Sequence, residues 1–368
     1  MMTFRERTLA ILNYEKFDKM PVAHFAFWDE TIDKWIAEGH VPEEYRHDHR
    51  RVAGLCGFDE EFDWCALAYG GAGFLQPGFP SEVVREFPDG TRYIRNGFGV
   101  VEVHKPGAGS IPGEVEHLLE DRGSWEEHYL PRLQYSDDRI PESFIQLMKS
   151  RENSDFPVGY FGGSLLGDVR NCLGVEGLAY VWVDDPELLK EIIDTVGDLY
   201  YRMLKRLVDA GVKIDYIHFW EDICFKNGPL VTPAFFEEVV GPNYGRIADL
   251  AHQHGIRYMS VDCDGCIDKL IPTWLHNGVN VMFPIEVGTW DASIAPWRKQ
   301  YGREIRGIGG MNKNVFARDR KAVDEEVERL QRLIALGGYI PCPDHRIAPD
   351  AQFELVQYYC DKMQNLRI

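Results

Sequence analysis

Five short stretches of this sequence place ionisable side chains directly behind apolar runs: Glu221-Asp222, Asp262-Cys263-Asp264, Glu286, Met311-Asn312-Lys313 and Asp344-His345. Asp262 and Asp264 are two apart, so in extended backbone both point to one side and Cys263 to the other. Carboxylates crowded into a concave site cannot all ionise freely. A bound cation is one resolution; a shared proton and an acid/base role is the other. The metal reading takes Glu221, Asp262, Asp264 and His345 as ligands, with Cys263 and Cys342 as reserve soft donors that would favour zinc over magnesium or calcium. The catalytic reading takes Glu221, Asp264 and His345. The plainer alternatives are that Asp262, Asp264 and Asp344 cap helices, that His345 is an ordinary loop histidine, and that Glu286 is a solvated or ion-paired loop residue.

Other residues read as substrate contacts. Trp28 and Trp220 sit at or next to strand ends, where they could wall a flat ring. Arg170 follows GGSLLGDV and could grip a carboxylate with both arms of its guanidinium, or make a surface ion pair of little weight. Lys313 follows a Gly-Gly turn of the kind that lets backbone approach a ligand. Cys263-x-x-Cys266 has the spacing of half a zinc knuckle, but no second pair follows. Cys224 and Cys266 read as small apolar fillers.

The elements that must position these groups are clearest beyond residue 157. Strands PVGYFGG, IDYIHFWED, IRYMSVDCDG, VNVMFPIEV, REIRGIGGMNK and GYIPCPDH alternate with amphipathic helices. Asp184 or Asp185, with Pro186 behind it, opens the helix 184–211. The helix 232–255 is expected to break near Gly241-Pro242. Alternation of this kind gives a parallel sheet covered by helices. The expected fold is α/β, a (β/α)8 barrel forming a single domain over 1–368, with its active site at the carboxyl ends of the strands. An open doubly wound sheet is the alternative, weakened by the lack of G-x-G-x-x-G after the first strand. Upstream, Thr3 opens a short helix, 21–28 reads as a buried strand, and 82–105 reads as a β-hairpin turning at Asp89-Gly90, outside the barrel.

The 368 residues carry 40 Lys+Arg against 59 Asp+Glu, a formal charge of -19. That argues against nucleic acid or an anionic membrane as partner. The N-terminus shows no signal-peptide pattern and no apolar run is long enough to span a bilayer. With eight scattered cysteines, a cytoplasmic location with reduced thiols is expected.

The segments RTLAILNYEKFDKMPV, FGGSLLGDVRNCLGVEGLAY, FWEDICFKNGPLVTP, VDCDGCIDKLIP, GGMNK and GGYIPCPDHRIAP resemble the uroporphyrinogen decarboxylase superfamily, over nearly the whole chain and most specifically in its C-terminal half. The resemblance implies a (β/α)8 barrel and one of two chemistries: cofactor-free decarboxylation of a tetrapyrrole, or cobalamin-linked methyl transfer assisted by zinc. Decarboxylases of the superfamily share an Arg-x-Pro-x-Trp-x-Met-Arg-Gln-Ala-Gly-Arg segment; here the matching region is KMPVAHFAFWDET, without the arginines that hold substrate carboxylates. Coenzyme M methyltransferases carry His-x-Cys-Gly and a later Cys for zinc. Aligned on the glycine, Asp262 falls at the His and Asp264 at the Cys, and the late Cys falls near His345. The harder ligand set argues against coenzyme M as acceptor. It resembles instead the corrinoid-dependent O-demethylases, which take methyl from a methoxylated aromatic and pass it to cob(I)alamin on a separate small protein. No Asp-x-His-x-x-Gly corrinoid signature is present, so the cobalamin is expected on a partner. The expected partners are therefore a small-molecule methyl donor and a corrinoid protein, with a homodimer left open.

Overall fold

The structure, a computed structural model, describes all residues except 60–61, 108–111 and 367–368. Seven parallel strands form one sheet in chain order: β1 (Ala68–Tyr69), β2 (Gly159–Gly163), β3 (Tyr216–Trp220), β4 (Tyr258–Asp262), β5 (Val281–Phe283), β6 (Arg306–Met311) and β7 (Tyr339–Pro343). The eighth place is filled by the segment 21–28. His24 bridges to Asp63, ahead of β1, and Phe27 bridges to Ile347, beyond β7, both in parallel. The first and last strands are thereby joined and the sheet closes as a (β/α)8 barrel. The segment is not a full strand, because Ala26 takes a φ of 55°, which interrupts the ladder.

The strands are apolar nearly throughout, as expected where both faces are covered. β3 and β4 run in register, with Tyr216 opposite Tyr258, His218 opposite Ser260 and Trp220 opposite Asp262. Side chains two apart share a face, so these three pairs form successive layers inside the barrel.

The helix Pro186–Asp209 begins where expected, with the Asp185 side chain accepting from the Leu188 amide and Pro186 in its first turn. The break near Gly241-Pro242 is a π-turn, Phe236–Val240, followed by the helix Gly241–Gln253. Pro242 has no amide to donate back to Glu238, so the regular ladder cannot continue there.

The hairpin 82–105 lies outside the barrel sheet and belongs to a four-stranded antiparallel sheet of 82–86, 92–95, 100–104 and 113–117. Its turn is the expected one: Gly90 has φ 82°, and Asp89 Oδ1 accepts from the Thr91 amide at 2.9 Å. No described helix is long and apolar enough to cross a membrane.

Candidate active site

β3 and β4 end side by side at the barrel mouth. After β3 the chain passes through Glu221 into Asp222, whose φ is 45°. This left-handed conformation is uncommon outside glycine and best tolerated by Asp and Asn. It turns the Asp222 carboxylate towards β4, where Oδ1 accepts from the Asp264 amide at 3.0 Å. One ligand atom from each of Asp222, Asp262 and Asp264 falls within 4.8 Å of the others. Burial, then the Asp264 carboxylate, pushes Asp222 up to about 6. Asp262 is driven well above the ordinary carboxylate range by burial and by both neighbours. Asp264 Oδ1 is buried with no hydrogen-bond partner. On the far side, His345 Nε2 lies 3.4 Å from Asp264 Oδ2.

Aromatic rings fix that imidazole. The Trp28 ring stacks on His345 with centroids 5.5 Å apart at 24°, and Phe25 meets it edge-on at 5.5 Å. Arg170 reaches the opposite rim: Nη2 donates to the Asp222 carbonyl at 3.1 Å, and its guanidinium lies 5.9 Å from the centre of the Trp220 ring. Its Nε is buried without a partner. Burial pulls the Lys313 ammonium below its usual range, while Asp344, Glu286 and Asp264 act against that shift.

The structure thus gathers Asp262, Asp264, His345, Trp28, Trp220, Arg170 and Lys313 around one mouth. It does not bring Glu221 into the carboxylate group. Glu221 is fully buried, and its oxygens accept from the amides of Leu165 at 2.9 Å, Leu166 at 3.0 Å and Gly167 at 2.7 Å, from Ser164 Oγ at 3.2 Å, and from the Tyr244 hydroxyl. Both oxygens are saturated, so Glu221 pins the turn after β2 to the end of β3 and is no free ligand or catalyst. The adjacent Asp222 takes its place. The reserve thiols also lie apart. Cys263 is buried, its Sγ donating to the Asp264 carbonyl at 3.6 Å, and Cys342 is fully buried within β7; neither falls in a metal-capable group among the described residues.

None of Asp262, Asp264 and Asp344 is the N-cap of a described helix. Asp344 accepts instead from the amides of Gly288 at 2.7 Å and Lys313 at 3.2 Å, tying two loops together. Glu286 is not solvated: it is 7% exposed and accepts from the Gly265 amide at 2.5 Å and from Thr289 Oγ1 at 3.0 Å. Gly265 has φ 86°, and a Cβ there would stand 2.6 Å from the Cys224 carbonyl. The glycine after Asp264 is therefore required by both conformation and space.

A second group lies one layer deeper. Cys65, His218 and Asp262 also present ligand atoms within 4.8 Å of one another. Attention to strand ends alone misses it. His218 was reachable, since it stands two residues before Trp220 on the same face of the strand. Cys65 gave no signal, because it comes from a turn without periodicity.

A closed (β/α)8 barrel with buried carboxylates at the carboxyl ends of its strands defines a barrel enzyme architecture. The family model for uroporphyrinogen decarboxylase (URO-D) matches residues 145–366, more than half the chain, and the protein belongs to that family. No curated protein matches it in sequence. Among solved structures, a methyltransferase from Methanosarcina mazei superposes with a TM-score of 0.61 at 15% identity, covering 99% of this chain and 98% of its own; the two share the fold. A putative vitamin-B12 independent methionine synthase from Listeria monocytogenes gives a looser likeness, TM-score 0.40 at 12% identity, over 95% of this chain and 98% of its own.

Proposed function

We propose that the protein is a single-domain, zinc-dependent methyltransferase that moves a methyl group from a methoxylated aromatic compound to cob(I)alamin on a separate corrinoid protein. The observation that carries this reading is the Asp222–Asp262–Asp264 group, which has no lysine or arginine within ion-pair distance among the described residues. Membership of the family and the fold shared with the Methanosarcina mazei methyltransferase support it.

The residues fit a divalent cation. Three carboxylates repel one another, one of their oxygens is buried and unpartnered, and burying such charge unpaired is costly. The ion would be held through Asp262, the member common to both metal-capable groups, and Asp222, Asp264 and His345 line the mouth above it. When bound, it would supply a Lewis acid for the ether oxygen.

The protein's own residues do the rest. Trp28 and Trp220 flank the ring of the donor. Arg170 and Lys313 bind a carboxylate carried by it. As the carbon–oxygen bond breaks, the electron pair stays on the aryl oxygen. Phenoxide is a poor leaving group, so help is most valuable at that atom. His345, held between Trp28 and Asp264, delivers a proton there.

Decarboxylation without a cofactor is the second reading, favoured by the family's name and by the raised Asp222 carboxyl. Stopped-flow spectra of the protein with cob(I)alamin and a panel of methoxylated benzoates decide between them. Growth of the methylcobalamin spectrum is expected. Release of carbon dioxide from a carboxylated substrate without cobalt, and no methyl transfer from any donor, would establish the lyase.

A further inference from the structure

The layer beneath the carboxylates contains an unusual hydrogen-bond count. Ser260 Oγ has three neighbours: Trp64 Nε1 at 3.0 Å, His218 Nδ1 at 2.7 Å and the Ile217 carbonyl at 3.4 Å. An indole N–H only donates, a carbonyl only accepts, and a hydroxyl has a single proton to give. All three contacts are satisfied in one arrangement: Ser260 donates to Ile217, accepts from Trp64, and accepts from the Nδ1–H of His218. The Nε2 of His218 is then a bare lone pair.

That nitrogen makes no hydrogen bond among the described residues. His218 is 2% exposed, and Nε2 lies 4.0 Å from Asp262 Oδ2. Asp262 is itself 8% exposed. Among the described residues its carboxylate accepts one hydrogen bond, from the Cys65 thiol with Sγ 3.7 Å from Oδ2. A buried carboxylate with so little compensation is expensive. Beneath the group, the Trp64 ring stacks on Tyr216 at 3.7 Å and closes the floor. Ser260 and Trp64 hold the imidazole in the way outer partners fix a metal-ligating histidine, by engaging the ring nitrogen that does not bind.

We propose that Cys65, His218 and Asp262 form a zinc site, with Cys65 bound as thiolate, and that the ion sits in this inner layer rather than among the outer carboxylates. The proposal deepens the metal reading above and rests on it for the function of the ion. One sulfur, one nitrogen and one oxygen donor make a borderline-soft set that selects zinc over magnesium or calcium. Three protein ligands leave a position for substrate, the pattern of catalytic rather than structural zinc. Binding would displace the thiol proton to solvent. Asp222 and Asp264 then remain free to face the donor.

The test is spectroscopic and independent of turnover. X-ray absorption of the zinc-loaded full chain should show one sulfur at about 2.3 Å, and the cobalt(II)-substituted protein should show a thiolate-to-cobalt charge-transfer band in the near ultraviolet. Cys65→Ser should lose both signals, with a circular dichroism melt that confirms the fold. Cys263→Ser and Asp264→Asn should keep them. A zinc shell containing only nitrogen and oxygen in the unmodified protein, or a sulfur signal that survives Cys65→Ser, overturns the site. The first of these needs no variant, so it stands even if Cys65→Ser fails to fold. A sulfur signal in a protein that transfers no methyl group would leave the site intact and sink the methyltransferase reading; methyl transfer without the sulfur would do the reverse.

Discussion

The Nε2 of His345 lies 3.4 Å from Asp264 Oδ2 while the Trp28 indole covers the same imidazole face to face, 5.5 Å between centroids. A ring held in this way can deliver a proton at one fixed point. Replacing His345 by Gln should lower the methyl-transfer rate about 100-fold, the lower end of what a positioned acid contributes. Donor affinity should change far less. Trp28→Ala should act mainly on binding, raising the donor concentration needed for half-maximal rate, with a smaller loss of rate because Phe25 still packs on His345. Single-turnover kinetics with the best methoxylated donor separate the two; equal effects on rate and binding from both variants would contradict these roles.

Glu221 offers a contrast between a scaffold acid and a site acid. Its side chain satisfies the amides of Leu165, Leu166 and Gly167. Glu221→Ala leaves those donors buried and unpaired, and should cost about 3 kcal/mol of stability, read as a lower urea midpoint. The conservative Glu221→Gln should fold and retain its full zinc content by elemental analysis. Loss of metal from a folded Glu221→Gln protein would return Glu221 to the ligand set.

Asp168 controls a pH response. Burial, reinforced by Glu221 and opposed by the 2.7 Å hydrogen bond from the Tyr200 hydroxyl, pushes its carboxyl up to about 7. The folded state therefore holds a proton that the unfolded chain has released, and stability falls as pH rises between about 4 and about 7. Asp168→Asn removes that loss. Urea unfolding should show the variant gaining on the unmodified protein across this window, by on the order of 2–4 kcal/mol at the top, with no further change above pH 8. A gap that stays constant with pH would show that Asp168 does not titrate there.

Gly265 holds the loop that carries Asp264. Adding a Cβ would press on the Cys224 carbonyl at 2.6 Å in a backbone conformation with φ 86°. Gly265→Ala should destabilise the fold by about 1–3 kcal/mol and reduce activity more than stability alone explains, because Asp264 shifts with it. Thermal melts and methyl-transfer rates on the same preparation measure both. Full activity in a destabilised variant would show that the position of Asp264 is not critical.

The barrel was legible because strand–helix alternation is a statement about burial, repeated across the chain from β2 onward. The convergence on one mouth was legible where a polar residue directly follows an apolar run, as at Asp262, Asp264 and His345. The site was misread where backbone conformation decides. Glu221 and Asp222 are equivalent by position, and the left-handed φ at Asp222 determines which one enters the mouth. Glu286 looked like a loop residue because nothing in the local sequence announces that the Gly265 amide needs an acceptor. Cys65 joins the inner group through tertiary contact alone, from a turn between the first strand segment and β1, and no spacing rule reaches it.

The closing seam of the barrel also sets the order in which the protein can become active. Thr31 Oγ1 donates to the Ile347 carbonyl across 316 residues of chain, and Phe27 bridges to the same residue. Trp28 and His345 stand on opposite banks of that seam. Contacts of such long sequence separation are slow to form, so Trp28 and His345 meet only once the two banks have closed. The stacking of Trp28 on His345 therefore reports that the segment 21–28 has docked against the loop beyond β7.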